Sequence, residues 1–158
     1  MLNFVPMSQD EYESWRADSI EDYAEENFTS GRWSGTDAHL KSEQEFSKLL
    51  PYGLSTPDNY VYSLVDQETS KPVGMIWFAL VREDPGRGHA FLYDFRIDEE
   101  RRHKGYGTQA LLQLDERVKA MGMKAISLHV FAHNRAARDL YAKVGYKETN
   151  VVMSKELV

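Results

Sequence analysis

Apolar positions along this chain switch between two periods, and the switches mark out its elements. Residues 2–5 read as a short strand. Ser8-Gln9-Asp10-Glu11 has the form of a capping box opening a helix. The helical pattern runs through Tyr12, Trp15, Ile20, Tyr23 and Phe28, is expected in two pieces, and ends at Gly31. Residues 38–50 form another helical stretch, stopped by Pro51 and Gly53. Residues 60–66 and 72–81 read as a hairpin around Glu68-Thr69-Ser70-Lys71, and the tract 83–88 as a turn. A strand over 90–97 follows. Leu111, Leu114, Val118 and Met121 then recur at spacings of three, four and three, the apolar stripe of a helix over 108–121 with Gly122 as its cap. Residues 125–131 read as a strand, Asn134 as the N-cap of a helix reaching Val144, and 146–157 as a last strand.

This order predicts a mixed α/β domain around a mostly antiparallel sheet. Strand 90–97, its helix and strand 125–131 make one right-handed crossover, so those two strands are expected as parallel neighbours. No repeat or linker interrupts the 158 residues, which are read as a single domain, 1–158.

Composition narrows the chemistry. A content of 42% hydrophobic and 28% charged residues is ordinary for a water-soluble domain. No apolar run approaches a membrane span, and Met1-Leu2-Asn3-Phe4-Val5-Pro6 lacks the features of a signal peptide. The absence of cysteine removes disulfides, thiolate metal sites and a cysteine nucleophile. A cytoplasmic location is expected, with no membrane partner. Five scattered histidines, with no His-x-x-x-His pair on a helix, give no reason to expect a metal. A net charge of −6 argues against nucleic acid as a partner. The charge is also uneven: Asp10, Glu11, Glu13, Asp18, Glu21, Asp22, Glu25 and Glu26 share one segment with a single base, Arg16. A cationic cluster, Arg101-Arg102-His103-Lys104, lies far along the chain. An acidic side facing a cationic amine and a basic side facing an anionic cofactor would use both, although charge runs also serve as solvated helix faces.

The cationic cluster runs into Gly105-Tyr106-Gly107-Thr108, between an aromatic strand and a helix start. Glycines let backbone approach a ligand, and the first helix amides point outward with a favourable dipole. This suits a diphosphate. The stretch Gly105-Tyr106-Gly107-Thr108-Gln109-Ala110 also fits G-x-G-x-x-A, but seven residues, 98–104, separate it from the strand end. The next strand moreover offers histidines where a ribose-binding carboxylate belongs. A P-loop would need Gly-Lys-Ser/Thr.

Arg102-x-x-Gly105-x-Gly107 after an aromatic strand resembles the acyl-coenzyme-A loop of the GNAT superfamily of N-acetyltransferases. The resemblance continues through Ile126-Ser127-Leu128-His129-Val130-Phe131, Asn134, Tyr141 and Gly145-Tyr146. It implies a GNAT-like fold whose two parallel strands splay apart to admit acetyl-coenzyme A (acetyl-CoA). It implies that main-chain groups near Phe95 and Ile97 pair with the pantetheine arm. The loop residues Arg102, His103, Lys104, Gly105, Tyr106, Gly107 and Thr108 would hold the diphosphate. Asn134 would bond the pantetheine, and the Tyr141 hydroxyl would protonate the leaving thiolate. Seven helical steps bring Asn134 and Tyr141 to nearly one face, about 10 Å apart. A phenol with a pKa near 10 holds its proton at neutral pH.

The group that deprotonates the acceptor is less plain. Family members place an acid or a histidine on the strand before the loop, where this chain has Phe91 or Tyr93. Asp94 falls on the opposite face by simple alternation and is expected to pair with Arg96. Water or a carboxylate such as Glu25 remains open. The resulting expectation is an enzyme that transfers acetyl directly to a primary amine, on a small molecule or peptide, in a ternary complex. The other reading is an acyl-CoA-binding sensor. The acceptor is not specified, and a homodimer is left open.

Overall fold

A computed structural model describes residues 1–82 and 87–158. The turn expected over 83–88 therefore lies mostly outside the described residues. The elements are β1 (Leu2–Pro6), α1 (Gln9–Thr29), α2 (Ala38–Leu49), β2 (Asn59–Asp66), β3 (Pro72–Val81), β4 (His89–Ile97), α3 (Tyr106–Ala120), β5 (Ile126–Leu128) and α4 (Arg135–Lys143). The sheet order is β1-β2-β3-β4-β5, and only the β4–β5 pair is parallel. The expected mixed α/β class, the hairpin and the crossover are all present.

Strand alternation sorts the core into two layers. Ile76, Phe78 and Leu80 of β3 join Leu64, Leu92, Leu111, Leu114 and Val118 on the α3 face. Met75 and Trp77 join Tyr12, Trp15, Ile20 and Phe46 on the α1–α2 face. Both faces are covered, which explains why β3 reads as an almost unbroken apolar run. Phe78 is fully buried and stacks on Tyr60 at 5.2 Å. Phe78→Ala is expected to lower unfolding free energy by about 3–5 kcal/mol, to be checked by urea denaturation.

Three boundaries differ from the sequence pattern. The first helix is one continuous piece, opened by the expected capping box of Ser8 and Glu11. Ser19, which could compete with the helix backbone, instead sends its hydroxyl across to Asp94 at 3.4 Å. The strand expected over 125–131 shortens to three residues because its ladder to β4 ends at Leu128. The strand expected over 146–157 is absent: residues 147–158 are exposed and irregular. An extended, β-branched sequence becomes a strand only with a ladder partner, and here Val151, Val152 and Met153 meet none.

Candidate active site

The site starts from the point where β4 and β5 part. Their ladder pairs Ala90 with Ile126, Phe91 with Ser127 and Leu92 with Leu128, and then stops. On its other side β4 keeps pairing with β3 as far as Ile97 opposite Gly74. From Tyr93 to Ile97 the strand therefore presents one edge without a strand partner.

A bulge modifies this edge. Trp77 faces Asp94 and Phe78 faces Leu92, which leaves Tyr93 as an extra residue. Tyr93 stacks on Trp77 at 4.6 Å, while Asp94 accepts from Trp15 Nε1 at 2.9 Å. Trp15 and Trp77 themselves meet at 5.5 Å. Tyr93 and Asp94 thus both lie on the α1 side, and the simple alternation that sent Asp94 to the opposite face does not hold. The expected pairing with Arg96 is present, at 3.5 Å, and Arg96 also meets Asp22 at 3.0 Å.

The glycine loop follows. His103 and Gly105 both take positive φ, 63° and 83°. At Gly105 this left-handed backbone is the reason for glycine, since an added Cβ would meet no atom within 4 Å. The helix begins at Tyr106, two residues before the expected Thr108, and its N-cap Gly105 has no side chain to cap it. The first intrahelical bond of this end is Gln109 N–H to the Gly105 carbonyl, 3.1 Å. The amides of Tyr106, Gly107 and Thr108 precede it and have no intrahelical partner.

Two loop side chains have structural duties. Arg102 Nε donates to the Ile97 carbonyl at 2.9 Å, tying the loop to the end of β4. The Tyr106 hydroxyl donates to Asp66, whose other oxygen holds the β2–β3 turn through the amides of Glu68 and Thr69. The Tyr106 ring is therefore turned to the hairpin, and what it offers the loop is its amide. At Gly107 a Cβ would come within 3.0 Å of Leu140, so this glycine also lets α4 approach. Side chains of His103 and Lys104 are exposed beside the loop. Sequence reasoning gave Arg101 no particular duty, yet its Nε is buried without a partner among the described residues.

Helix α4 forms the far wall. Asn134 caps it, its Oδ1 accepting from Ala137 N at 3.2 Å, so its amide N–H groups stay uncommitted among the described residues. Tyr141 packs against the α3-face core and meets Tyr146 at 5.5 Å. Burial, then the charges of Asp94 and Glu26, push its hydroxyl up to about 12. The phenol therefore keeps its proton throughout the neutral range.

The near wall is α1. Ser19, Asp22 and Glu26 fall on one helix face, three and four residues apart, and the first two reach Asp94 and Arg96. Glu26 is half-buried, while Glu25, a 100° step away, is exposed. Burial raises the Glu26 carboxyl above its ordinary range, with His133 opposing and Asp94 and Asp22 reinforcing. Tyr23 meets Phe131 at 6.3 Å, joining α1 to the segment after β5, and Phe131 stacks on His133 at 5.5 Å. Sequence reasoning named the acidic segment but singled out Glu25. The signal for Glu26 was its helical phase with Ser19 and Asp22. Among the described residues no group of three or more His, Cys, Asp or Glu is placed to hold a metal, and no helix is long and apolar enough to cross a membrane.

Comparison with known proteins agrees with this fold. The family model described as Acetyltransferase (GNAT) family matches residues 12–146. The uncharacterized N-acetyltransferase YycN of Bacillus subtilis is 45% identical over 156 residues, covering 99% of each chain. YdgE of the same organism, likewise an uncharacterized N-acetyltransferase, is 36% identical over 151 residues, covering 96% of this chain and 95% of its own. The crystal structure of YycN superposes with a TM-score of 0.93, covering 100% of this chain and 99% of that one. With a matching family model over most of its length and relatives this similar, the chain belongs to the GNAT family of acetyltransferases.

Proposed function

We propose that the protein is an N-acetyltransferase that moves the acetyl group of acetyl-CoA directly to a primary amine, both substrates being bound together. The observation that carries this reading is the parting of β4 and β5 after Leu92 and Leu128, which leaves the β4 edge unpaired; the Tyr141 hydroxyl, which burial keeps protonated, supports it. The residues fit acetyl-CoA. The Tyr93–Ile97 edge can accept an amide-bearing pantetheine arm as an added strand. The free N–H groups of Asn134 lie on the same helix as Tyr141, available to that arm. The uncapped amides of Tyr106, Gly107 and Thr108, with Arg102, His103 and Lys104 around them, suit a diphosphate. Arg102 would act while anchored to Ile97, and the Ile97 carbonyl, already accepting from it, is the weaker pairing group of the two first expected.

Acetyl-CoA supplies an activated thioester. Main-chain N–H groups of the β4 edge polarise its carbonyl, and Tyr141 donates a proton to the departing sulfur. The chain has no cysteine to carry the acetyl group covalently. Initial rates at several fixed acceptor concentrations are therefore expected to give intersecting double-reciprocal lines. Parallel lines, or an acetyl-protein that passes its acetyl group to amine at a competent rate, would rule direct transfer out. A cytoplasmic location and self-association belong to the same proposal. The exposed Val151, Val152 and Met153 support self-association, which light scattering would test.

A further inference from the structure

We infer that Glu26 is the base that takes the proton from the acceptor, and that the acceptor class is a cationic aliphatic amine held against an acidic and aromatic wall. This rests on the acetyltransferase reading and adds the half of the reaction that reading leaves open.

The assignment comes from which carboxylates are already committed. Three acids of α1 and β4 face the cleft: Asp22, Glu26 and Asp94. Asp94 accepts from Trp15, Ser19 and Arg96. Asp22 is paired with Arg96 at 3.0 Å. Glu26 alone of the three makes no side-chain hydrogen bond or ion pair with a described residue, and it is half-buried rather than solvated. Its helix face is fixed by the two contacts below it, which place Ser19 and Asp22 over β4. The residue after Asp22, Tyr23, meets Phe131 beyond the end of β5, so this part of α1 contacts both β4 and the segment that follows β5. Glu26 follows Asp22 by four residues, one turn on along the same face of α1. Its charge is felt at the Tyr141 hydroxyl on the opposite wall. Groups facing it from all sides are His133, Asp94, Asp22, Arg96 and Tyr141.

The surroundings select the acceptor. Tyr23, three residues before Glu26 on α1, meets Phe131 at 6.3 Å, and aromatic rings together with carboxylates are the two features that attract an ammonium group. Glu21, Asp22 and Glu25, within five residues of Glu26 on α1, add to the negative charge that attracts cations there. In the step itself, the ammonium nitrogen passes one proton to the Glu26 carboxylate, and its freed lone pair forms the C–N bond as the C–S bond breaks. Tyr141 protonates the sulfur. The new amide nitrogen sheds its second proton to the Tyr141 phenolate, and Glu26 releases its own to solvent.

The test measures free-thiol release from acetyl-CoA with butylamine, spermidine and glutamate as probes, across pH. Wild type is expected to favour the two cationic amines over glutamate at least about tenfold in kcat/KM, the scale of one charge interaction. Its activity should rise with pH through a limb above the ordinary carboxylate range, because Glu26 acts only when deprotonated. Glu26→Gln is expected to lose about 10²–10⁴-fold in kcat/KM, to lose that limb, and to bind acetyl-CoA as before. Glu26→Asp should recover part of the rate with the limb retained, and serves as the readout if the Gln variant does not fold. His133→Asn should keep the limb. A Glu26→Gln enzyme with wild-type rate and pH profile overturns this assignment and leaves the acetyltransferase reading intact. A wild type that binds acetyl-CoA and acetylates none of the probes nor any other primary amine defeats both.

Discussion

Tyr141→Phe is expected to lower the turnover number by about 10²–10⁴-fold, the usual contribution of a general acid. The ring stays in place, so its packing against Tyr146 and the α3-face core survives. The hydroxyl makes no hydrogen bond to a described residue, so its loss orphans no partner and thermal stability should hardly change. Acetyl-CoA affinity should remain near wild type, because the loop and the β4 edge are untouched. The pH profile adds a check. Burial and the charges of Asp94 and Glu26 push the phenol up to about 12, so the acid form persists through the alkaline range in which an unperturbed tyrosine would ionise. Wild-type activity should accordingly show no loss from this group near pH 10. A Phe variant with normal turnover would reduce Tyr141 to a core aromatic.

Gly105→Val should abolish the stabilisation that acetyl-CoA confers. In the wild type, ligand at one hundred times its dissociation constant is expected to add about 2.7 kcal/mol. At Gly105 φ is +83°, a region that a β-branched residue resists, while no protein atom lies within 4 Å of an added Cβ. The free protein should therefore fold with a strain penalty of about 1–3 kcal/mol. The loop amides, however, would be re-aimed and their approach to a diphosphate blocked. The same substitution at Gly107 is less clean, because its side chain would also displace Leu140 next to Tyr141. Calorimetry with and without acetyl-CoA separates strain, seen in both traces, from lost binding, seen only in their difference. An undiminished shift in the variant would defeat this reading of the loop.

Features encoded locally were legible in the sequence. The capping box at Ser8, the hairpin and the apolar stripe of α3 each depend on residues a few positions apart. Their order alone gave the parallel pair and the loop between its strands. Long-range features were not legible. The bulge at Tyr93 exists because β4 must register against β3 on both sides of it, and it reverses the face assigned to Asp94. The Tyr106 hydroxyl is claimed by Asp66, 40 residues away in sequence, which no spacing rule anticipates. Glu26 differs from Glu25 only by one helical step, and the face of a helix is known once its contacts with β4 are known. Residues 147–158 carry strand-forming side chains, but a strand is decided by its partner, and that decision is not local.

The most direct test of the central claim is the product of a reaction between purified protein, acetyl-CoA and a panel of primary amines, read by mass spectrometry together with free-thiol release. The account predicts an N-acetylated amine formed in step with free coenzyme A, for at least one cationic amine of the panel. Saturable binding of acetyl-CoA with neither thiol release nor acetylated product would contradict it, and would identify the protein as a binding module.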